Sequence, residues 1–202
     1  MKPLRYFVML TLVAGVCLTG RAVYLHAKAE VAGVLIHRAW QATTRRGQSR
    51  PPWPWADTHP VARLCIPRLN YDEIVLEGAT PRTLAFGPAR LLSGAALGEP
   101  GNLELAGHRT SWFEPLQGLM LGDMIEIEWY DVRLGRLRQR TYAVNTIRVV
   151  APEDISLLAP TPDDVLTLIT CYPFGRSPRS PQRYIVRASP VGPGVFNTAL
   201  SR

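Results

Sequence analysis

Hydrophobic and polar positions along the chain fall into two regimes that meet near residue 55. Residues 6–20 are apolar almost without interruption, 15 positions or roughly 22 Å of helix at about 1.5 Å per residue. With Arg21 lifting its charge to the interface, the stretch extends over 6–25, close to the ~30 Å that a hydrocarbon core demands. A signal anchor preceded by Lys2 and Arg5 is expected. Cleavage near Ala27-Lys28-Ala29 is the alternative, although those residues lie well past the apolar run. Cations after the run (Arg21, Lys28, Arg38, Arg45, Arg46) outnumber those before it, which long exported domains tolerate. Residues 22–46 lack proline and place Leu25, Ala29, Ala32, Ile36 and Trp40 at helical spacing, so the helix is expected to continue as a stalk or packing helix. Pro51, Pro52 and Pro54 then remove amide donors and end it.

Beyond residue 60 the period shortens toward that of β-structure. Strands are predicted over 61–66, 72–77, 102–106, 123–129, 138–150, 165–170 and 183–188, seven or eight in all. Residues 124–129 alternate strictly between apolar and polar, which buries one face and wets the other, as in an antiparallel barrel or sandwich. Residues 165–170 are apolar at most positions and read as a more central strand. Short helical turns are predicted at 81–86, 112–116 and 152–158, as connections rather than a layer. The expected layout is an anchor over 1–25, a helical stalk and Pro/Trp-rich linker over 26–60, an all-β domain over 61–190 and a tail over 191–202.

Composition narrows the function classes. About 150 of the 202 residues remain beyond the helix and linker, enough for one domain, and 18 prolines with 16 glycines favour short strands over long helices there. The net charge of +7 comes partly from arginines scattered at Arg133, Arg136, Arg138, Arg140, Arg176 and Arg179, without the aromatic interleaving of a nucleic-acid platform. A membrane surface or an anionic polymer suits that charge as well. Glycines within 98–107 do not lead a strand into a helix, as a dinucleotide loop requires. Cys17, Cys65 and Cys171 match neither a zinc pattern nor a CxxC pair, and Cys17 and Cys65 lie in apolar or strand-like runs where they read as small buried residues.

Cysteine nucleophiles need a thiolate, a proton carrier and a donor for the developing oxyanion. Three segments offer those parts: Thr170-Cys171-Tyr172-Pro173 at a strand end, Ala106-Gly107-His108 at another, and Arg183 heading a strand. Taken singly, each has a plain structural reading: a packed cysteine, a satisfied histidine, a solvated arginine.

Their combination resembles the sortase family, which carries a TLxTC strand, an AGH-type turn upstream, and an arginine heading the next strand. Thr167 to Cys171 reads TLITC, Ala106 to His108 reads AGH, and Arg183 follows the cysteine by 12 residues. The Trp-rich linker and the TCYPF ending resemble the Gram-negative, proteobacterial class. The resemblance covers 61–189 and implies a single eight-stranded antiparallel β-barrel. It also implies transpeptidation of an LPxTG-like sorting signal between Thr and Gly, through a thioacyl intermediate resolved by an amine. Cys171 is then the nucleophile, His108 the acid/base and Arg183 the electrophilic helper. Arg183 is permanently cationic, which favours a thiolate and an oxyanion.

Arg187, on the same strand face, competes for the arginine's role, Thr170 is a candidate at the oxyanion and Ala106 in the groove, and all three are weaker candidates for binding substrate. No metal or other cofactor is expected. Partners would be a protein bearing a C-terminal sorting signal, an amine acceptor and the membrane, with the domain on the extracytoplasmic side of a bacterial inner membrane. The rival readings are a cysteine peptidase releasing to water and a membrane-tethered binding barrel without turnover.

Overall fold

The computed structural model describes residues 2–175 and 181–192. Residues 176–180, with Arg176 and Arg179, and most of the expected tail 191–202 lie outside the described residues, as do the side chains of Lys2, Arg5 and Leu25.

Helix α1 (Lys2–Arg46) runs through both the apolar run and the expected stalk without a break. It contains an 18-residue window long and apolar enough to cross a membrane. Its first half exposes apolar side chains all round, among them Leu12, Val16 and Val23. Its second half buries Ala32, Ile36, Ala39, Trp40 and Thr43. Those positions recur every three or four residues, so they form one stripe. The stripe packs on Ile74, Leu76 and Ala89, with Trp53 of the linker closing the cluster edge-on against Phe86. The segment expected as a stalk or packing helix is therefore a packing helix, fastened to the β-domain.

The β-domain comprises β1 (Pro60–Ile66), β2 (Tyr71–Glu77), β3 (Ala89–Arg90), β4 (Asn102–Ala106), β5 (Met124–Asp131), β6 (Arg136–Val150), β7 (Val165–Tyr172) and β8 (Gln182–Pro190). They close into an eight-stranded barrel in the order β1-β2-β3-β4-β7-β8-β6-β5. The seven strands read from the sequence are all present; β3, only two residues long, completes the ring. Most neighbours are antiparallel, as expected, but β2 pairs with β3 and β4 with β7 in parallel. Both parallel pairs are joined through long connections, as parallel pairing demands. A short helix, α2 (Pro81–Leu84), lies between β2 and β3, its Thr80 side chain accepting from Thr83 N–H. Single 3-10 turns occupy Pro67–Leu69, Glu114–Gly118 and Ser156–Leu158; the first was not expected.

Alternation decides what the barrel contains. In β5, Ile125, Ile127 and Trp129 are buried while their neighbours are not, matching the strict pattern read from the sequence. Leu103, Leu105, Leu166, Leu168, Val186 and Ala188 belong to the same interior cluster. The intervening residues of β4, β7 and β8 therefore stand on the outer face, since successive side chains of a strand point oppositely.

Candidate active site

Cys171 lies near the end of β7 with the parity of the outer face, and its register partner on β8 is Arg183. Directly opposed residues of an antiparallel pair share a face, with Cβ atoms about 4.5–5.5 Å apart. The two side chains thus leave adjacent strands side by side on one face, both residues half-buried, with Arg183 Nη1 donating to Gln182 C=O at 3.2 Å. Beneath them, facing the interior, Tyr172, Phe174 and Tyr184 pack ring on ring, and Tyr184 Oη donates to Leu116 C=O at 3.3 Å. That cluster closes the end of the barrel under the cysteine.

From β4, the residue before His108 is fastened to the same strand end. Ala106 pairs in parallel with Ile169, two residues before Cys171, and Gly107 N–H donates to Ile169 C=O at 3.2 Å. Thr170 Oγ1 donates to Gly107 C=O at 2.7 Å. Gly107, just before His108, is therefore held through both its N–H and its C=O by the two residues just before Cys171. The His108 side chain is exposed, and its C=O accepts from Phe113 N–H at 2.9 Å, turning the chain back over the barrel end. Gly107 is dictated by packing, because a Cβ there would come within 2.6 Å of the buried Phe113 ring. Arg109 donates to Pro173 C=O at 2.9 Å and ties this turn to the segment following the cysteine.

The weaker candidates sort differently. Thr170 is 3% exposed and its hydroxyl is committed to Gly107, so the hydroxyl positions the His108 turn instead of facing an oxyanion. Ala106 is half-buried on the outer face beside Ile169. Arg187 shares the outer face but pairs with Thr167, four residues below Cys171, roughly 13 Å away along the strand. It does not meet the thiol as Arg183 does.

Sequence reasoning missed a polar cluster on the outer face of β4 and β7. Thr167 Oγ1 donates to Asn102 Oδ1 at 2.6 Å, and the Asn102 amide donates to Leu157 C=O at 3.1 Å. Glu104, 2% exposed, accepts from Ser93 Oγ at 3.2 Å, and burial pushes its carboxyl above the usual carboxylate range. The alternation of Asn102 and Glu104 with Leu103 and Leu105 in this strand was the available signal.

The other cysteines are set apart by surroundings. Cys65 lies between Asp72 and Glu126 in register, where burial, then the two carboxylates, push its thiol up and away from thiolate character. Cys17 is exposed on α1, and all three cysteines are unbridged. Among the described residues no three His, Cys, Asp or Glu side chains gather as a metal site would need.

Comparison with known proteins gives one consistent family. The family described as "Sortase domain" matches residues 64–191. The chain is 28% identical over 122 residues to Sortase D of Bacillus subtilis (strain 168), covering 60% of this chain and 59% of that protein. It is 29% identical over 136 residues to Sortase A of Bacillus anthracis, covering 65% of this chain and 60% of that protein. It thus spans about 60% of the length of these relatives. The structure superposes on a Sortase D5 transpeptidase of Clostridium perfringens with a TM-score of 0.62 at 23% identity, covering 81% of this chain and 99% of that one, a likeness of fold.

Proposed function

The chain belongs to the sortase family, and from that premise we propose that it is a cysteine transpeptidase in which Cys171, His108 and Arg183 carry the reaction. The observation that supports this most is the register of Cys171 against Arg183 with the His108 turn fastened to the same strand end.

Cys171 Sγ attacks the threonyl carbonyl carbon of an LPxTG-like sorting signal. The carbonyl electrons move onto oxygen, where the Arg183 fork donates to the oxyanion. The C–N bond breaks, His108 gives its proton to the leaving glycine amine, and a thioester to Cys171 remains. An incoming amine attacks that thioester, His108 takes its proton, and the C–S bond breaks to restore the thiolate. Water can replace the amine, which is the hydrolytic side reaction expected of a thiol hydrolase. Ala106 lines the groove, and the Thr170 backbone N–H is a second donor candidate for the oxyanion.

In this reading residues 1–25 anchor the chain in a bacterial inner membrane, with 26–60 as packing helix and linker, 61–190 as the catalytic barrel on the periplasmic side and 191–202 as a tail. The apolar surface of the first half of α1 supports the anchor. The Trp-rich linker and the TCYPF ending at 170–174 support the proteobacterial class. The partners are a protein ending in a sorting signal and an amine acceptor.

The test is to incubate the chain with labelled LPxTG-like peptides and a panel of amines and to follow masses. A thioester on Cys171 and an amide product are expected. Water release alone would favour a peptidase, and no adduct with any peptide would favour a binding barrel.

A further inference from the structure

On the outer face of the barrel, Glu104, Thr167 and Arg187 form a row across β4, β7 and β8, with Glu104 in register with Thr167 and Thr167 in register with Arg187. This row lies four residues from Cys171 and Arg183 on the same face of the same two strands, about 13 Å at 3.3 Å per residue. Two of its members are satisfied and covered. Thr167 has no exposure and donates to Asn102. Glu104 is sealed beneath Gly94, whose hypothetical Cβ would lie 3.0 Å from the Glu104 Cγ.

Arg187 is the exception. It is half-buried, and among the described residues it has no hydrogen-bond, ion-pair or electrostatic partner. Of the other strand arginines with comparable or greater burial, Arg90 pairs with Glu77, Arg138 with Asp131 and Arg140 with Asp164, while Arg183 donates to Gln182 C=O at 3.2 Å. Partial burial weakens hydration of a guanidinium, so a carboxylate arriving from outside gains more there than at the open surface. Between this row and the catalytic one, Ile169 is half-buried on the same face, and Ile185 beside it is already covered at 1% exposure.

The geometry points to Arg187 as a specificity residue: it receives an Asp or Glu side chain of the substrate peptide, about four residues before the carbonyl attacked by Cys171. The inference rests on the transfer reading above. Its direction follows from His108, which lies beyond the end of β4. A leaving amine protonated there departs over the barrel end, so the acyl segment occupies the strands below Cys171. An extended peptide advances at the same ~3.3 Å per residue as the strand beneath it, which sets the spacing.

The test is a peptide set in which one Glu, Gln or Lys is walked through the third to sixth residues before the scissile bond, with acylation of Cys171 followed by mass in the full chain. At one position Glu is expected to exceed Lys by about tenfold or more in kcat/KM, as a charge-assisted contact requires. Arg187→Lys is expected to keep that preference and Arg187→Glu to reverse it. Because the readout is a ratio between peptides on one protein, loss of folded material does not imitate it. Acylation without dependence on that charge, or an unchanged ratio in Arg187→Glu, overturns this inference alone. No acylation by any peptide overturns the transfer reading and this inference with it.

Discussion

Cys171 and Arg183 stand opposite each other across the β7–β8 ladder, which makes their proximity a property of strand register and not of loop conformation. A slip of one residue in that ladder would send one of the two side chains to the interior. The ring cluster of Tyr172, Phe174 and Tyr184 on the inner side opposes such a slip, since it too would be turned outward. The proposed nucleophile and its proposed oxyanion donor are thus placed by the same forces that close the barrel.

Replacing Cys171 with alanine is expected to abolish acyl transfer while leaving the thermal midpoint close to that of the unaltered chain. Mass analysis after exposure to a sorting peptide checks the first, and circular dichroism the second. Arg183→Lys keeps the charge but loses the planar fork, and kcat is expected to fall by roughly 10²–10³, the usual cost of removing an oxyanion donor. Full activity in either variant would remove that residue from the mechanism.

Thr170→Val leaves Gly107 C=O without its hydroxyl donor in a buried place. A loss of about 1–3 kcal/mol in urea unfolding is expected. The displaced His108 turn should lower kcat more than it raises KM, whereas Thr170→Ser restores both. An intact kcat in the valine variant would show that the hydroxyl does not position His108.

Gly107→Ala forces a Cβ against the Phe113 ring. Overpacking of this kind costs about 1–3 kcal/mol. Gly107→Ala combined with Phe113→Leu is expected to recover part of the stability, measured by thermal melting, because the clash is with the ring itself. Equal stability of the single variant and the parent would contradict the packing argument.

Glu104 gives the barrel a pH dependence of defined sign. Its folded carboxyl is raised by burial, so the unfolded chain releases its proton at lower pH than the folded one. The stability contribution is greatest below the unfolded value, near pH 4.3, and declines as pH rises through the folded value. Glu104→Gln should remove that decline and raise stability at neutral pH while leaving it little changed in acid. Urea midpoints measured from pH 4 to pH 8 in both forms decide it; parallel curves would mean that the carboxyl does not titrate in this window.

Trp40 is 6% exposed between α1 and the barrel. Trp40→Ala is expected to lower unfolding stability by about 3–5 kcal/mol, as for a large aromatic removed from a core. A negligible change would mean that α1 is a loose tether and not a docked element.

Some of this was present in the one-dimensional pattern. The unbroken apolar run and proline-free segment determined a long helix, because backbone hydrogen bonds within a helix are local. Strict alternation in β5 determined which of its residues are buried, and the TLITC, AGH and Arg183 segments marked the three candidate residues. Pairing between distant strands is another matter. Nothing along the chain distinguished a barrel with two parallel seams from a wholly antiparallel one, and β3 is too short to carry any periodicity.

Tertiary structure alone assigned Arg183 to Cys171 and Arg187 to Thr167, since the two arginines share a strand and a face and differ only in register. It also committed the Thr170 hydroxyl to Gly107 C=O, at the turn that leads into His108. Residue type and spacing set which groups are available and which face they occupy. Their meeting depends on long-range registers, which the packing of the whole barrel selects.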